Sequence, residues 1–228
     1  MDYILSDYGL IILSTAIALF AQFFVTHNYN KYSKQNDKNG LSGYEAARRI
    51  LDNNGLENVA INMVEGRLSD HYNPNNKTVN LSHDIYNGRT VAAVSVAAHE
   101  CGHAIQDKNG YLFLKIRRSI IPVVNFASYG GYFAVVIGLL FSAMILIKIG
   151  IILEFVILTF QVVTLPVEFN ASNRALKQIQ SLNLLDKDEY YGGRKMLTSA
   201  ALTYVASVAS ALIQILRLVM ILNRRRED

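Results

Sequence analysis

The sequence predicts a mainly α protein, with integral membrane helices joined to a small α+β unit that holds a short β-sheet. Three observations predict it. With 51% hydrophobic residues and a mean hydropathy of +0.21, the 228-residue chain is too apolar for an ordinary soluble domain. Its 18% of charged residues are too many for membrane spans alone. The charges are also segregated: residues 8–30, 119–147 and 196–216 carry none, and 149–167 carries only Glu154. Each of the first three stretches can cross about 30 Å of hydrocarbon as a helix.

The first stretch has no basic residue before it, only Met1, Asp2 and Asp7, and no small-x-small cleavage site follows it. Residues 1–30 therefore read as a retained membrane anchor rather than a cleaved signal. After a polar linker with Lys31, Lys34 and Lys38, Ser42 and Glu45 form a capping box for a helix through Ala46, Ala47, Ile50 and Leu51, which stops at Asn54-Gly55. Runs 59–65 and 78–82 partly alternate apolar and polar residues, and Asn73-Pro74-Asn75-Asn76 predicts a turn between them. Residues 78–82 are the expected sheet edge, where a peptide could add as a further strand; plain sheet packing fits the pattern equally well. A helix follows over 90–107, capped by Thr90 and ended by Asn109-Gly110. The organisation is then an anchor (1–30), a polar α+β unit (31–118), a membrane hairpin (119–167) with Lys148 near its tip, a returning segment (168–198), and a hydrophobic helix with a basic tail (199–228).

The helix over 90–107 carries His99-Glu100-Cys101-Gly102-His103, an H-E-x-x-H pattern preceded by the small apolar run VAAVSVAA. Two histidines four apart share one helix face about 6 Å apart along the axis, close enough to hold one zinc ion. Glu100, about 100° around the helix, can flank the metal and take a proton from the water it activates. The alternative, two exposed histidines beside a surface glutamate, fits poorly with so apolar an approach. Cys101 points away from the histidines; the lone cysteine excludes an internal disulfide and reads as small buried packing.

A catalytic zinc needs a third protein ligand and one open position. The candidates are His27, His71, His83, Glu154 and Glu168. A helical hairpin between the motif and Glu168 would return that residue to the side the chain left. Glu154 and Glu168 are fourteen residues apart, about 21 Å along one helix, and so cannot share an ion. With Gln161 they form a polar stripe of period seven, and Glu154 faces either a wet interior or, beside Lys148, a nearby loop.

The segments Ala97 to Gln106, Asp70-His71-Tyr72-Asn73-Pro74 and Leu165-Pro166-Val167-Glu168-Phe169-Asn170-Ala171-Ser172 together resemble the YugP-like family of membrane neutral zinc metallopeptidases, over nearly the whole chain. More remotely, the arrangement is similar to the HtpX-like and prenyl-protein (CAAX) endopeptidases. The resemblance implies a gluzincin-like metallopeptidase unit with one Zn2+ per chain, held by His99, His103 and Glu168, with Glu100 as general base. In those relatives the glutamate opens an E-x-x-x-D motif; here Ser172 stands where the aspartate would orient a ligand histidine, with Asn170 and Asn173 beside it. Donors for an oxyanion include His71, Tyr72, His83 and Tyr204; the His71-Tyr72 pair is preferred because the resemblance includes it and it precedes the predicted turn.

Apart from Lys148, the lysines and arginines at the span ends fall on the side that carries the motif, which places it on the cytoplasmic face of a multi-pass protein of a prokaryotic cell membrane. Arg224-Arg225-Arg226 and Arg217 disagree, so the last segment either crosses despite them, the preferred reading, or lies along the membrane. The net charge of +4 reflects this topology rather than a nucleic-acid surface. The expected activity is hydrolysis of peptide bonds in peptide or membrane-protein substrates, with a role in membrane protein quality control implied by the HtpX-like likeness. Two other classes are a catalytically inactive zinc-binding membrane scaffold or regulator, and a transporter using the Glu154-Gln161-Glu168 stripe as an ion path.

Overall fold

The computed structural model describes residues 2–227, and the side chains of residues 8–224. The side chains of Asp2, Asp7, Arg225 and Arg226, on which part of the topology reading rests, lie outside the described residues. The chain is mainly α. In order it forms α1 (Asp2–Tyr32), α2 (Gly43–Asn53), β1 (Ala60–Val64), β2 (His71–Asn73), β3 (Thr78–Ser82), α3 (His83–Tyr86), α4 (Val91–Lys108), α5 (Leu112–Leu140), α6 (Met144–Ser181) and α7 (Lys187–Glu227). Four of these helices, α1, α5, α6 and α7, are long and apolar enough to cross a membrane.

The chain divides into two compact units. The first comprises 1–22, 116–165 and 203–228, and among its described residues helices are joined only by the turn at 141–143. Its packing relies on small residues: a Cβ on Gly150 would meet Val135 Cγ2 at 2.3 Å, and one on Gly138 would meet Ile147 Cγ1 at 2.9 Å, so α5 and α6 approach closely at these points. Phe126, Tyr129, Leu140, Phe141 and Ile152 are exposed, as residues facing lipid should be.

Two expectations about this unit are corrected. Residues 119–147 do not form one span: α5 ends at Leu140 and the chain turns through residues 141–143, with Ser142 at φ +54°. The turn lacks the Gly, Pro or Asn that sequence reading looks for, so the charge on Lys148 drew the boundary instead. Lys148 lies inside α6, and Glu154 sits ten residues past Met144, nearly three turns into the helix rather than beside its loop. The returning segment over 168–198 is also divided: α6 runs on to Ser181, and α7 runs unbroken from Lys187 into the hydrophobic helix.

The second unit comprises 23–115 and 166–202. Ser42 Oγ accepts from the Glu45 N–H at 3.1 Å and Glu45 Oε2 accepts from the Ser42 N–H at 2.7 Å, so the predicted capping box starts α2. Thr90 caps α4 through the Ala93 N–H at 3.2 Å, and Gly110 at φ +62° follows its end. Ala46, Ala47, Ile50 and Leu51 of α2 pack with Val94, Ala97, Ala98, Cys101 and Ala104 of α4, together with Ile179 and Leu197, in one buried core. Fully burying each large side chain here contributes roughly 1.5–3 kcal/mol. Cys101 donates weakly to the Ala47 carbonyl at 3.6 Å, and burial pushes its thiol well above the ordinary range, which suits packing rather than metal binding.

The sheet order is β1-β3-β2, with β1 parallel and β2 antiparallel to the central β3. The reading of 78–82 as the edge is therefore corrected: all five residues of β3 are buried between partners. The strand that displaces it, β2, is three residues long, too short to register as an alternating run. It joins β3 through the predicted turn, with Lys77 at φ +56°.

Candidate metal centre

Small residues bring α4 and α6 together. A Cβ on Gly102 would lie 2.5 Å from the carbonyl oxygen of Ala171, so only glycine fits between the two histidines of the motif. Gly102→Ala is expected to force the helices apart and to lower both thermal stability and zinc content relative to wild type; overpacking of this kind costs typically 1–3 kcal/mol. A melting curve and metal analysis on the same preparation check it.

Across that contact, His99 Nε2 lies 3.3 Å and His103 Nε2 3.6 Å from Glu168 Oε2. The three ligand atoms are within 4.8 Å of one another. Zinc bonds of about 2.0–2.2 Å in a tetrahedron put adjacent ligand atoms about 3.3–3.6 Å apart, so the two histidine–glutamate separations match a zinc site. His103 and Glu168 are buried and His99 is partly exposed, so the cluster meets solvent at His99.

An outer hydrogen bond sets the tautomer of His103. His103 Nδ1 is 3.0 Å from Gln106 Oε1, a pure acceptor, so the proton sits on Nδ1 and Nε2 turns its lone pair inward. Gln106, fully buried, is anchored by donating to the Val167 carbonyl at 2.7 Å and to Asn170 Oδ1 at 3.1 Å. Ser172 Oγ is 3.2 Å from His99 Nδ1, so at the position of the expected aspartate a hydroxyl meets the other ring. Sequence reading singled out Ser172 but missed Gln106. Its signal was a polar residue three after His103, on the same face of the helix, directly after the apolar pair Ala104-Ile105.

Glu100 is buried beside the histidines and accepts at Oε2 from the Tyr72 N–H of β2 at 2.9 Å. The backbone bond fixes the carboxylate against the sheet edge. Tyr72 Oη donates to Asp107 Oδ2 at 2.8 Å, and Lys77 also pairs with Asp107, so the β2 hairpin is tied to α4 at two points. Asp70 holds the start of the strand by accepting from the Ser82 N–H at 2.7 Å.

The other candidates do not join the cluster. His71 Nδ1 donates to the Ser69 carbonyl at 2.8 Å, and Nε2 lies 3.2 Å from Asn80 Nδ2. Donating to an oxyanion would require its ring to leave these partners. His83 is exposed beside Asp84 at the start of α3, His27 stacks on Phe23 in α1, and Glu154 belongs to the first unit.

Burial opposes charge on His103, but the Glu168 carboxylate beside it, with Glu100 and Gln106, outweighs burial and raises its pKa above the usual value of about 6.5. A raised folded-state pKa contributes stability that is complete below the unfolded value and lost as pH rises through the folded one. Zinc requires neutral imidazole, so its binding displaces that proton and strengthens as pH rises through the same window. Metal-free protein is therefore expected to melt lower at pH 8 than at pH 6.5, and the rise in melting temperature on adding zinc to be larger at pH 8. Thermal scans with and without chelator at both pH values test the two signs.

A family model described as a putative neutral zinc metallopeptidase matches residues 8–223, a range that contains every residue of this cluster. The chain is 46% identical over 220 residues to the putative membrane protease YugP of Bacillus subtilis (strain 168), covering 96% of this chain and 98% of that protein. No solved structure matches. The resemblance read from the motifs is borne out.

Proposed function

On the footing that the chain belongs to the family of putative neutral zinc metallopeptidases, we propose that it is an integral membrane endopeptidase of the gluzincin type, acting at the cytoplasmic membrane surface. The observation that carries this is the meeting of His99, His103 and Glu168, with both histidines at tetrahedral-edge distance from the glutamate and Glu100 one residue along the helix. His99 Nε2, His103 Nε2 and Glu168 Oε2 hold one Zn2+, and the partial exposure of His99 marks the side open to water and substrate. Bound zinc supplies a Lewis acid, which polarises a peptide carbonyl and lowers the pKa of water from about 15.7 toward about 7. Glu100 accepts the proton lost by the attacking water and returns it to the departing amine, while its bond to the Tyr72 N–H keeps the carboxylate in place between the two transfers.

The substrate adds to β2, the edge strand nearest Glu100, instead of β3. Main-chain groups of β2 other than the Tyr72 N–H, which Glu100 holds, would set the scissile bond with little dependence on side chains. Lys31, Lys34, Lys38, Lys115, Arg117, Arg118, Arg174, Lys177, Arg194 and Lys195 flank the α1 end, α5 start, α6 end and α7 start, which supports the cytoplasmic face. Membrane-associated or misfolded proteins are the substrate class that the HtpX-like resemblance supports.

The test is purified chain in detergent, assayed for zinc by plasma mass spectrometry and for casein cleavage. One zinc per chain, with cleavage lost to a chelator and restored by Zn2+, is expected. Zinc without cleavage by wild type would favour the scaffold reading, and absence of zinc would overturn both.

A further inference from the structure

The first unit contains a cleft of about 470 Å³ between α1, α6 and α7, lined by Gln22, Glu154, Gln161, Ser207, Ser210 and Gln214 among others. Its volume lies within the range of ligand-binding pockets. Its chemistry stands out in helix stretches rich in Leu, Ile, Val, Phe and Ala: three carboxamides, one carboxylate and several hydroxyls share one concavity. Gln161 Oε1 and Ser210 Oγ are buried there without a hydrogen-bond partner. The remaining charged neighbour, Arg217, reaches Gln214 Oε1 at 3.5 Å. Glu154 lies ten residues past the start of α6, about 15 Å along its axis, which is half the thickness of the hydrocarbon.

Lipid tails offer nothing to these groups, and a cation site would converge several carboxylate or carbonyl oxygens on one point. Amides and hydroxyls instead both donate and accept, as a peptide backbone does. Non-helical backbone is tolerated at membrane depth only where protein or a wet cavity satisfies it. Glu154 to Gln161 and Ser207 to Gln214 each cover about 10.5 Å of helix, the length of about three extended residues. We infer that this cleft binds a locally unwound, polar stretch of another protein's transmembrane segment; this deepens the peptidase reading above by naming membrane-spanning chains as its substrate class.

The experiment uses the full-length Glu100→Gln chain in phosphatidylcholine proteoliposomes. Energy transfer reports binding of two dye-labelled 25-residue transmembrane peptides of leucine and alanine, one with a central Asn-Pro and one with Leu-Leu there. The Asn-Pro peptide is expected to bind at least tenfold more tightly. That preference should fall below threefold in Gln161→Leu, which removes the unpartnered Oε1 at nearly equal volume, and in Ser207→Leu, which fills the cleft from α7. Zinc content and helicity by circular dichroism show that each variant is folded; one that fails is replaced by Ser210→Ala. Equal binding of the two peptides, no binding of either, or a preference that survives the substitutions overturns the inference. Because binding is read without hydrolysis, a wild-type chain that never cleaves would sink the peptidase reading and leave this one standing.

Discussion

Glu100→Gln is expected to keep its zinc and lose peptide hydrolysis by about 10²–10⁴-fold, the usual worth of a positioned general base. A thousandfold loss corresponds to about 4 kcal/mol of transition-state stabilisation. The substitution is informative because the structure gives the glutamine a place to sit: its carbonyl oxygen can accept the Tyr72 N–H that Glu100 Oε2 accepts at 2.9 Å, so neither the α4–β2 contact nor the histidines need move. The loss should fall on kcat, since the carboxylate acts on water and not on substrate binding. The measurement is casein or membrane-peptide turnover beside zinc per chain on one preparation. Full turnover with full zinc would remove Glu100 from the chemistry, and loss of zinc would make it a metal-supporting residue instead.

The parts of this molecule that sequence could reveal are those set by local spacing. The capping box at Ser42 and Glu45, the cap at Thr90 and the stop at Gly110 each depend on residues within four positions, and each is present. The H-E-x-x-H spacing fixed two of the three converging atoms for the same reason. What escaped depended on partners distant in sequence. β2 exists because β3 and α4 hold three residues extended, not because His71-Tyr72-Asn73 alternate. The turn at residues 141–143 is dictated by where α5 and α6 pack through Gly138 and Gly150, and no turn-forming residue announces it. Ser172 looked like a departure from a motif; in three dimensions its hydroxyl reaches the ring that an aspartate was expected to orient. Gln106 similarly gains its meaning only from Val167 and Asn170, some sixty residues on.

Glu168→Ala is expected to weaken zinc binding more than 100-fold, with activity lost in proportion. Outer-shell partners of a metal ligand are typically worth 10–100-fold in affinity, so removal of a ligand atom should exceed that. Two effects compete in this variant. Without Glu168 the histidines keep their orientation through Gln106 and Ser172, and two neutral imidazoles still bind zinc weakly. Against this, the carboxylate that offsets the ion's charge in a buried site is gone, and His103 loses the partner that raises its pKa. The second effect wins for zinc, because an uncompensated divalent charge next to buried residues is far costlier than one lost bond. It also removes the pH behaviour of the metal-free chain, which in the variant should no longer melt lower at pH 8 than at pH 6.5. Chelator-competition titration of zinc, with thermal scans at the two pH values, reads both consequences; unchanged zinc affinity would reject Glu168 as a ligand whatever the activity.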